Sequence, residues 1–183
     1  MKSEALKKYV AFLRGINVGG HHKVPMADLV TEMKHLHFDN VVTLLNSGNI
    51  IFDSSNANIE ELEKMISDHL EQKFGFPIPT IIRTAQAIEI LFKWNPFQNI
   101  TVTKDIRLYV SFLKHETESN LLLPWTGEDL SYTIMDIREG AILSVLDLSV
   151  SHTPKAMEAL EKFFGKDITT RNWNTIERIV KKI

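Results

Sequence analysis

Val41-Val42-Thr43-Leu44-Leu45, then Asn46-Ser47-Gly48-Asn49, then Ile50-Ile51-Phe52: an apolar, partly β-branched run, a polar bend, and a second apolar run. Runs of this composition favour strands. Asn, Ser and Gly favour turns, and Gly48 is the residue suited to φ > 0. The stretch reads as a β-hairpin, so at least part of the sheet is antiparallel.

The segments on either side extend the pattern. Upstream, Tyr9 to Leu13 is a short apolar run, as expected for a central strand. Arg14 to Val24 is a glycine-rich loop, and Pro25 suits a first helical position with Val24 as N-cap. Met26, Leu29, Val30, Met33 and Leu36 then lie on one helical face. Downstream, Asn58 with Glu61 three residues on resembles a capping box. The helix it opens carries Ile59, Leu62, Ile66, Leu70 and Phe74, and Gly75 ends it. Ile78 to Ile82 contains Pro79 and reads as an edge strand. Thr84 caps a helix bearing Ala85, Ile88, Leu91 and Phe92. The order strand, helix, strand, strand, helix, strand is the ferredoxin-like arrangement. Its antiparallel sheet has the spatial order fourth, first, third, second.

Asn95-Pro96-Phe97-Gln98-Asn99 interrupts the pattern, which then starts again. Arg107 to Leu113 is a strand, and Glu116 to Trp125 is expected to hold a short helix. Tyr132 to Ile137 and Ala141 to Leu148 form a hairpin around Arg138-Glu139-Gly140. Thr153-Pro154 caps a helix with Met157, Leu160, Phe163 and Phe164, stopped by Gly165. Ile168 to Thr170 is a last strand, and Trp173, Ile176, Ile179, Val180 and Ile183 mark a closing helix. The fold class expected is α+β: two ferredoxin-like βαββαβ-type halves in tandem, each followed by an extra helix, with the division at 1–99 and 100–183.

The 183 residues are 44% hydrophobic and 24% charged, ordinary for a globule with a real core. A formal charge of -2 argues against holding nucleic acid by bulk electrostatics, although a local basic patch stays open. There are no cysteines, which excludes disulfides and thiolate chemistry and fits a reducing compartment. No apolar run has the length of a signal peptide or of a membrane span. The expected location is cytoplasmic, with no membrane partner.

The glycine-rich loop is where a ligand is expected. Gly15, Gly19 and Gly20 allow positive φ and close backbone approach. Val24 offers no side-chain acceptor as a cap, so the first-turn amides and the helix dipole favour an anion. Arg14 and Lys23 add positive charge. The alternative is a tight strand-to-helix turn whose amides are met by water or by neighbouring loops. Neither Gly-x-x-x-x-Gly-Lys-Ser/Thr nor Gly-x-Gly-x-x-Gly is present. In the expected topology the loop faces the bend after the second strand. Arg14, Gly15, Asn17, Gly19, Gly20 and Lys23 would therefore meet Asn46, Ser47, Gly48 and Asn49 around one cavity, with Gly75 to Pro77 approaching from the same side. The bend alone is also plain hairpin chemistry. The second half has no such loop: Leu113-Lys114-His115-Glu116 stands where Leu13-Arg14-Gly15 stood.

Phe12-Leu13-Arg14-Gly15-Ile16-Asn17-Val18-Gly19-Gly20, Lys23-Val24-Pro25-Met26, Asn46-Ser47-Gly48-Asn49 and Thr170-Arg171-Asn172-Trp173-Asn174-Thr175 resemble the hallmark runs of the bacterial domain of unknown function 1697 family. The resemblance spans nearly the whole chain. Two positions depart from the usual pattern: Asn46 where Gln is more common, and Thr170 where Ala often precedes Arg-Asn-Trp. The resemblance implies a two-part α+β fold of ferredoxin-like units and supplies no activity, substrate or cofactor. It draws attention to Arg171, a fork donor suited to phosphate or carboxylate. Trp173 either stacks on a ligand or packs in the core, with Asn172 or Asn174 capping the last helix.

No metal site is expected. His21-His22 and His35-x-His37 lack helical ligand spacing and carboxylate company. Asp28-Glu32 and Glu60-Glu61 read as solvated helix faces. Ser47 sits in a hairpin rather than a nucleophile elbow. Three readings follow. The first is a binding module for a small phosphate- or carboxylate-bearing ligand, with nucleic acid less favoured. The second is an enzyme on a phosphorylated or nucleotide substrate, using His21 or His22 as acid or base and Arg14 to stabilise charge. The third is a structural or assembly module. Cofactor, oligomeric state and ligand identity lie beyond the residues.

Overall fold

A computed structural model describes residues 5–117, 119–150 and 153–183, with the backbone alone for 153–155. The chain is mixed α and β, with five helices and two antiparallel sheets among the described residues. The backbone divides into two compact units, residues 1–90 with 178–183, and residues 91–177.

The first unit holds β1 (Lys7–Leu13), α1 (Met26–His35), β2 (Asp39–Leu44), β3 (Asn49–Ser54), α2 (Ile59–Phe74) and β4 (Thr80–Thr84). Its sheet runs β2-β3-β1-β4, with every pair antiparallel. Tyr9, Ala11, Leu13, Ile50, Phe52 and Ile82 form one face and pack with Leu29 and Met33 of α1 and Leu62, Ile66 and Leu70 of α2. The alternate residues Val10, Phe12, Ile51 and Ile81 are buried too. Burial of both faces explains why β1 reads as a continuous apolar run rather than an alternating one.

Helix ends follow the local chemistry. Asn58 Oδ1 accepts the Glu61 N–H, and Gly75 closes α2 at φ 81°. The Glu61 carboxylate does not complete the box and instead accepts from Asn56 Nδ2. β4 lies on the edge beside β1, and its Ile82 N–H donates to Glu63 Oε1 at 2.8 Å. Glu63 on α2 is buried, so this carboxylate closes part of an open strand edge.

α3 (Ala85–Trp94) begins after Thr84, whose hydroxyl accepts the Ala87 N–H. The second unit continues with β5 (Ile106–Leu113), β6 (Trp125–Thr126), β7 (Tyr132–Arg138), β8 (Ala141–Asp147), α4 (Thr153–Phe164), β9 (Ile168–Asn172) and α5 (Trp173–Val180), which runs on into the first unit. Its sheet order is β6-β7-β8-β5-β9. The core combines Leu113, Tyr132, Ile134, Ile142 and Leu146 with Ala156, Leu160 and Phe164 of α4. One expected element is absent: the described residues from 116 to 125 form no helix, and the strand β6 pairs with β7 instead. Leu121, Leu122 and Leu123 are consecutive rather than three or four apart, so they make no helical face, and Pro124 follows at once.

Candidate functional site

The loop after β1 is held by its own polar groups. Leu13 N–H donates to the Gly48 carbonyl at 2.8 Å, and Arg14 N–H to the Pro79 carbonyl at 2.9 Å. Gly15, Asn17, Gly19, Gly20 and His22 all have positive φ, from 51° to 80°. Asn17 is the organiser. Its Oδ1 accepts the Val24 N–H at 2.8 Å, while its Nδ2 donates to the Val24 carbonyl at 3.0 Å and the Asn46 carbonyl at 2.8 Å. The loop and the bend between β2 and β3 therefore meet through one amide. The His22 ring stacks on Phe76 with centroids 4.3 Å apart, and its Nδ1 lies 3.1 Å from the Gly15 carbonyl.

α1 begins one residue later than its sequence suggests. Pro25 is the N-cap, with φ -63° and ψ 134°, because Asn17 holds Val24 outside the helix. Val24 is consequently not the cap. Proline has no side-chain acceptor either, and it makes no side-chain cap. Val24, Pro25 and Met26 join Asn17, Gly20, Lys23 and Asn46 around an open pocket of about 430 Å³.

Of the predicted ligand residues, Asn17, Gly20, Lys23 and Asn46 thus line one pocket. Arg14, Gly15, Gly19, Ser47, Gly48 and Asn49 do not line it. Gly48 sits at φ 76° against Leu13 and Ile16. Asn49 is fully buried, and its Nδ2 donates to the Leu44 carbonyl and Ser47 Oγ, which holds the bend. Arg171 belongs to the unit 91–177. It is buried in β9 and donates to Thr169 Oγ1 and the Thr170 carbonyl. Burial pushes its guanidinium down to about 10. Trp173 is buried, stacked on Phe92 and edge-on to Phe97. Asn172 Oδ1 accepts the Asn174 N–H at the start of α5.

The structure also assembles a cluster from two helices, α1 and α2. Glu32 is buried, not part of a solvated face. Its Oε1 lies 2.8 Å from Lys73 Nζ, and its Oε2 lies 2.8 Å from His69 Nε2 and 3.3 Å from His35 Nδ1. The spacings are i,i+3 on α1 and i,i+4 on α2, so each helix turns a pair toward the other. His35 therefore does have carboxylate company. The Lys73 ammonium, aided by His69 and His35, holds the Glu32 carboxyl down to about 2 against the opposing effect of burial.

The architecture places the protein among mixed α/β chains with two antiparallel sheets. The chain belongs to the family described as protein of unknown function (DUF1697), which matches residues 6–142. A conserved bacterial protein, SP0830 from Streptococcus pneumoniae, has a similar fold: TM-score 0.64 and 21% identity, covering 97% of this chain and 98% of that one. No curated protein matches. Among the described residues, no helix is long and apolar enough to cross a membrane.

Proposed function

We propose that the protein binds a small phosphate- or carboxylate-bearing ligand in the pocket formed by Asn17, Gly20, Lys23, Asn46 and the start of α1. The observation that carries this reading is a coincidence in one place. A helix start without a side-chain cap opens into the same pocket that a lysine lines. The first-turn amides and the helix dipole supply partial positive charge there, and Lys23 supplies a full one. Asn17 spends its side chain holding the frame, so it positions the site rather than contacting the anion.

The reading also takes each half as a diverged copy of one ferredoxin-like unit. Matching registers support this. Val10 pairs with Arg83 as Val110 pairs with Arg171. Leu13 and Leu113 donate to Gly48 and Gly140, and Arg14 and Lys114 donate to Pro79 and Asp167. Arg83 and Arg171 each donate from an Nη1 to the carbonyl of the preceding residue. The copies differ where the first carries its glycine loop and α1, a stretch that in the second holds the strand β6 and no described helix.

Calorimetric titration with inorganic phosphate, a nucleoside monophosphate and a short oligonucleotide tests the reading. Lys23→Ala is expected to weaken phosphate binding about tenfold, the size of one charge-assisted contact. Met26→Pro is the sharper variant. The extended ψ of Pro25 suits a following proline, so the substitution deletes one first-turn N–H at a position where helices tolerate proline. It should lose affinity relative to Met26→Ala. Equal affinity of those two variants, or no binding of any of these phosphate compounds or of a dicarboxylate such as succinate, removes the proposal. A steep fall of oligonucleotide affinity with salt would identify the ligand as nucleic acid.

A further inference from the structure

We propose that Glu32, His35 and His69 form a second site, separate from the pocket at the start of α1, that binds one divalent transition ion, with zinc as the expected occupant. One nitrogen from each histidine and a carboxylate oxygen of Glu32 all lie within 4.8 Å of one another. Around a tetrahedral zinc, with bonds near 2.0–2.1 Å, ligand atoms stand about 3.3 Å apart. The distances from Glu32 Oε2 are 2.8 Å to His69 Nε2 and 3.3 Å to His35 Nδ1. Side-chain rotations that bring the two histidine nitrogens, at most 4.8 Å apart, to about 3.3 Å give a coordinating geometry. The two α1 ligands have the Glu-x-x-His spacing that puts both on one helical face.

The donor set of two imidazoles and one carboxylate suits zinc, nickel or cobalt rather than calcium or magnesium, which prefer oxygen alone. Glu32 comes from a buried position and His35 from an exposed one, its side chain 63% accessible. The open coordination position thus faces solvent. Lys73 takes the other carboxylate oxygen, Oε1, and leaves Oε2 for the ion. Its charge works against a cation nearby, and Glu32 and Asp28 both favour that charged form. The expected affinity is consequently moderate, well below that of a closed structural zinc site.

The test uses the untagged full chain at pH 7.5, where free histidine is mostly neutral. Zinc titration by calorimetry and cobalt titration by visible absorption should each show one saturable equivalent. His35→Ala and His69→Ala should each weaken binding at least tenfold. Because His35 is exposed, its variant keeps the fold, which circular dichroism verifies, and the test survives even if Glu32→Gln does not fold. Absence of saturable binding overturns the proposal. So does undiminished affinity in both histidine variants, or loss of affinity only on changing His21 and His22.

Discussion

Asn17 grips Val24 from both sides, accepting its N–H at 2.8 Å and donating to its carbonyl at 3.0 Å. A single side chain thus replaces a rung of sheet pairing at the point where the chain turns into α1. The same amide reaches the Asn46 carbonyl, so three contacts depend on it. Asn17→Ala should cost about 2–3 kcal/mol from these lost contacts and from the positive φ that asparagine tolerates better than alanine. Amide hydrogen exchange at Val24 should speed up well beyond the change at β1. Unchanged exchange there would mean that the loop is held by other groups.

Two glycines separate crowding from backbone strain. A Cβ on Gly48 would stand 2.7 Å from Leu13 Cβ and 2.8 Å from Ile16 Cδ1, at φ +76°. Gly19 has φ +59° and nothing within 4 Å of the same point. Gly48→Ala should cost about 2–4 kcal/mol, combining left-handed strain with overpacking, and Gly19→Ala only about 1–2 kcal/mol. Chemical denaturation measures both, and equal losses would show that the bend relaxes freely.

Trp173 is a core residue by its contacts, stacked on Phe92 and edge-on to Phe97. Trp173→Ala should destabilise by about 3–5 kcal/mol, as large aromatic truncations do. A loss under 1 kcal/mol would point away from a packing role.

Glu32 sets an acid limit. Its folded-state value is lowered from 4.5 to about 2, so between those values the unfolded chain binds a proton that the native chain does not. The stability it contributes is complete above about pH 4.5 and is lost as pH falls toward 2. Urea midpoints of the wild type should therefore fall more steeply across that window than those of Glu32→Gln. Parallel curves would refute the coupling of Glu32 to Lys73 and the two histidines.

Much of the first unit was legible because each signal was local. Asn58 and Gly75 mark the ends of α2 by side chain and by φ, and Pro79, just before Thr80–Thr84, signals an edge strand. The second unit was harder to read between β5 and β7. The leucines at 121–123 satisfy a search for apolar content without the period that a helix needs, and β6 has only two residues. At the loop, glycine content signalled positive φ. It did not show that Asn17 would commit its whole side chain to the frame, nor that Asn49 would be sealed inside the bend. The Glu32 cluster was hidden for a different reason. Glu32 and His35 are neighbours on α1, but His69 lies 37 residues from Glu32, and only helix packing brings the two together.

The carboxylate of Glu63 on the Ile82 amide has a consequence for self-association of the folded chain. A bare β4 rim would present a template on which a neighbouring chain could add itself, copy after copy. With that donor occupied from within, the template is interrupted at its middle, and the Glu63 contact would have to be broken before a strand could add there. A single acidic side chain on α2 provides that seal.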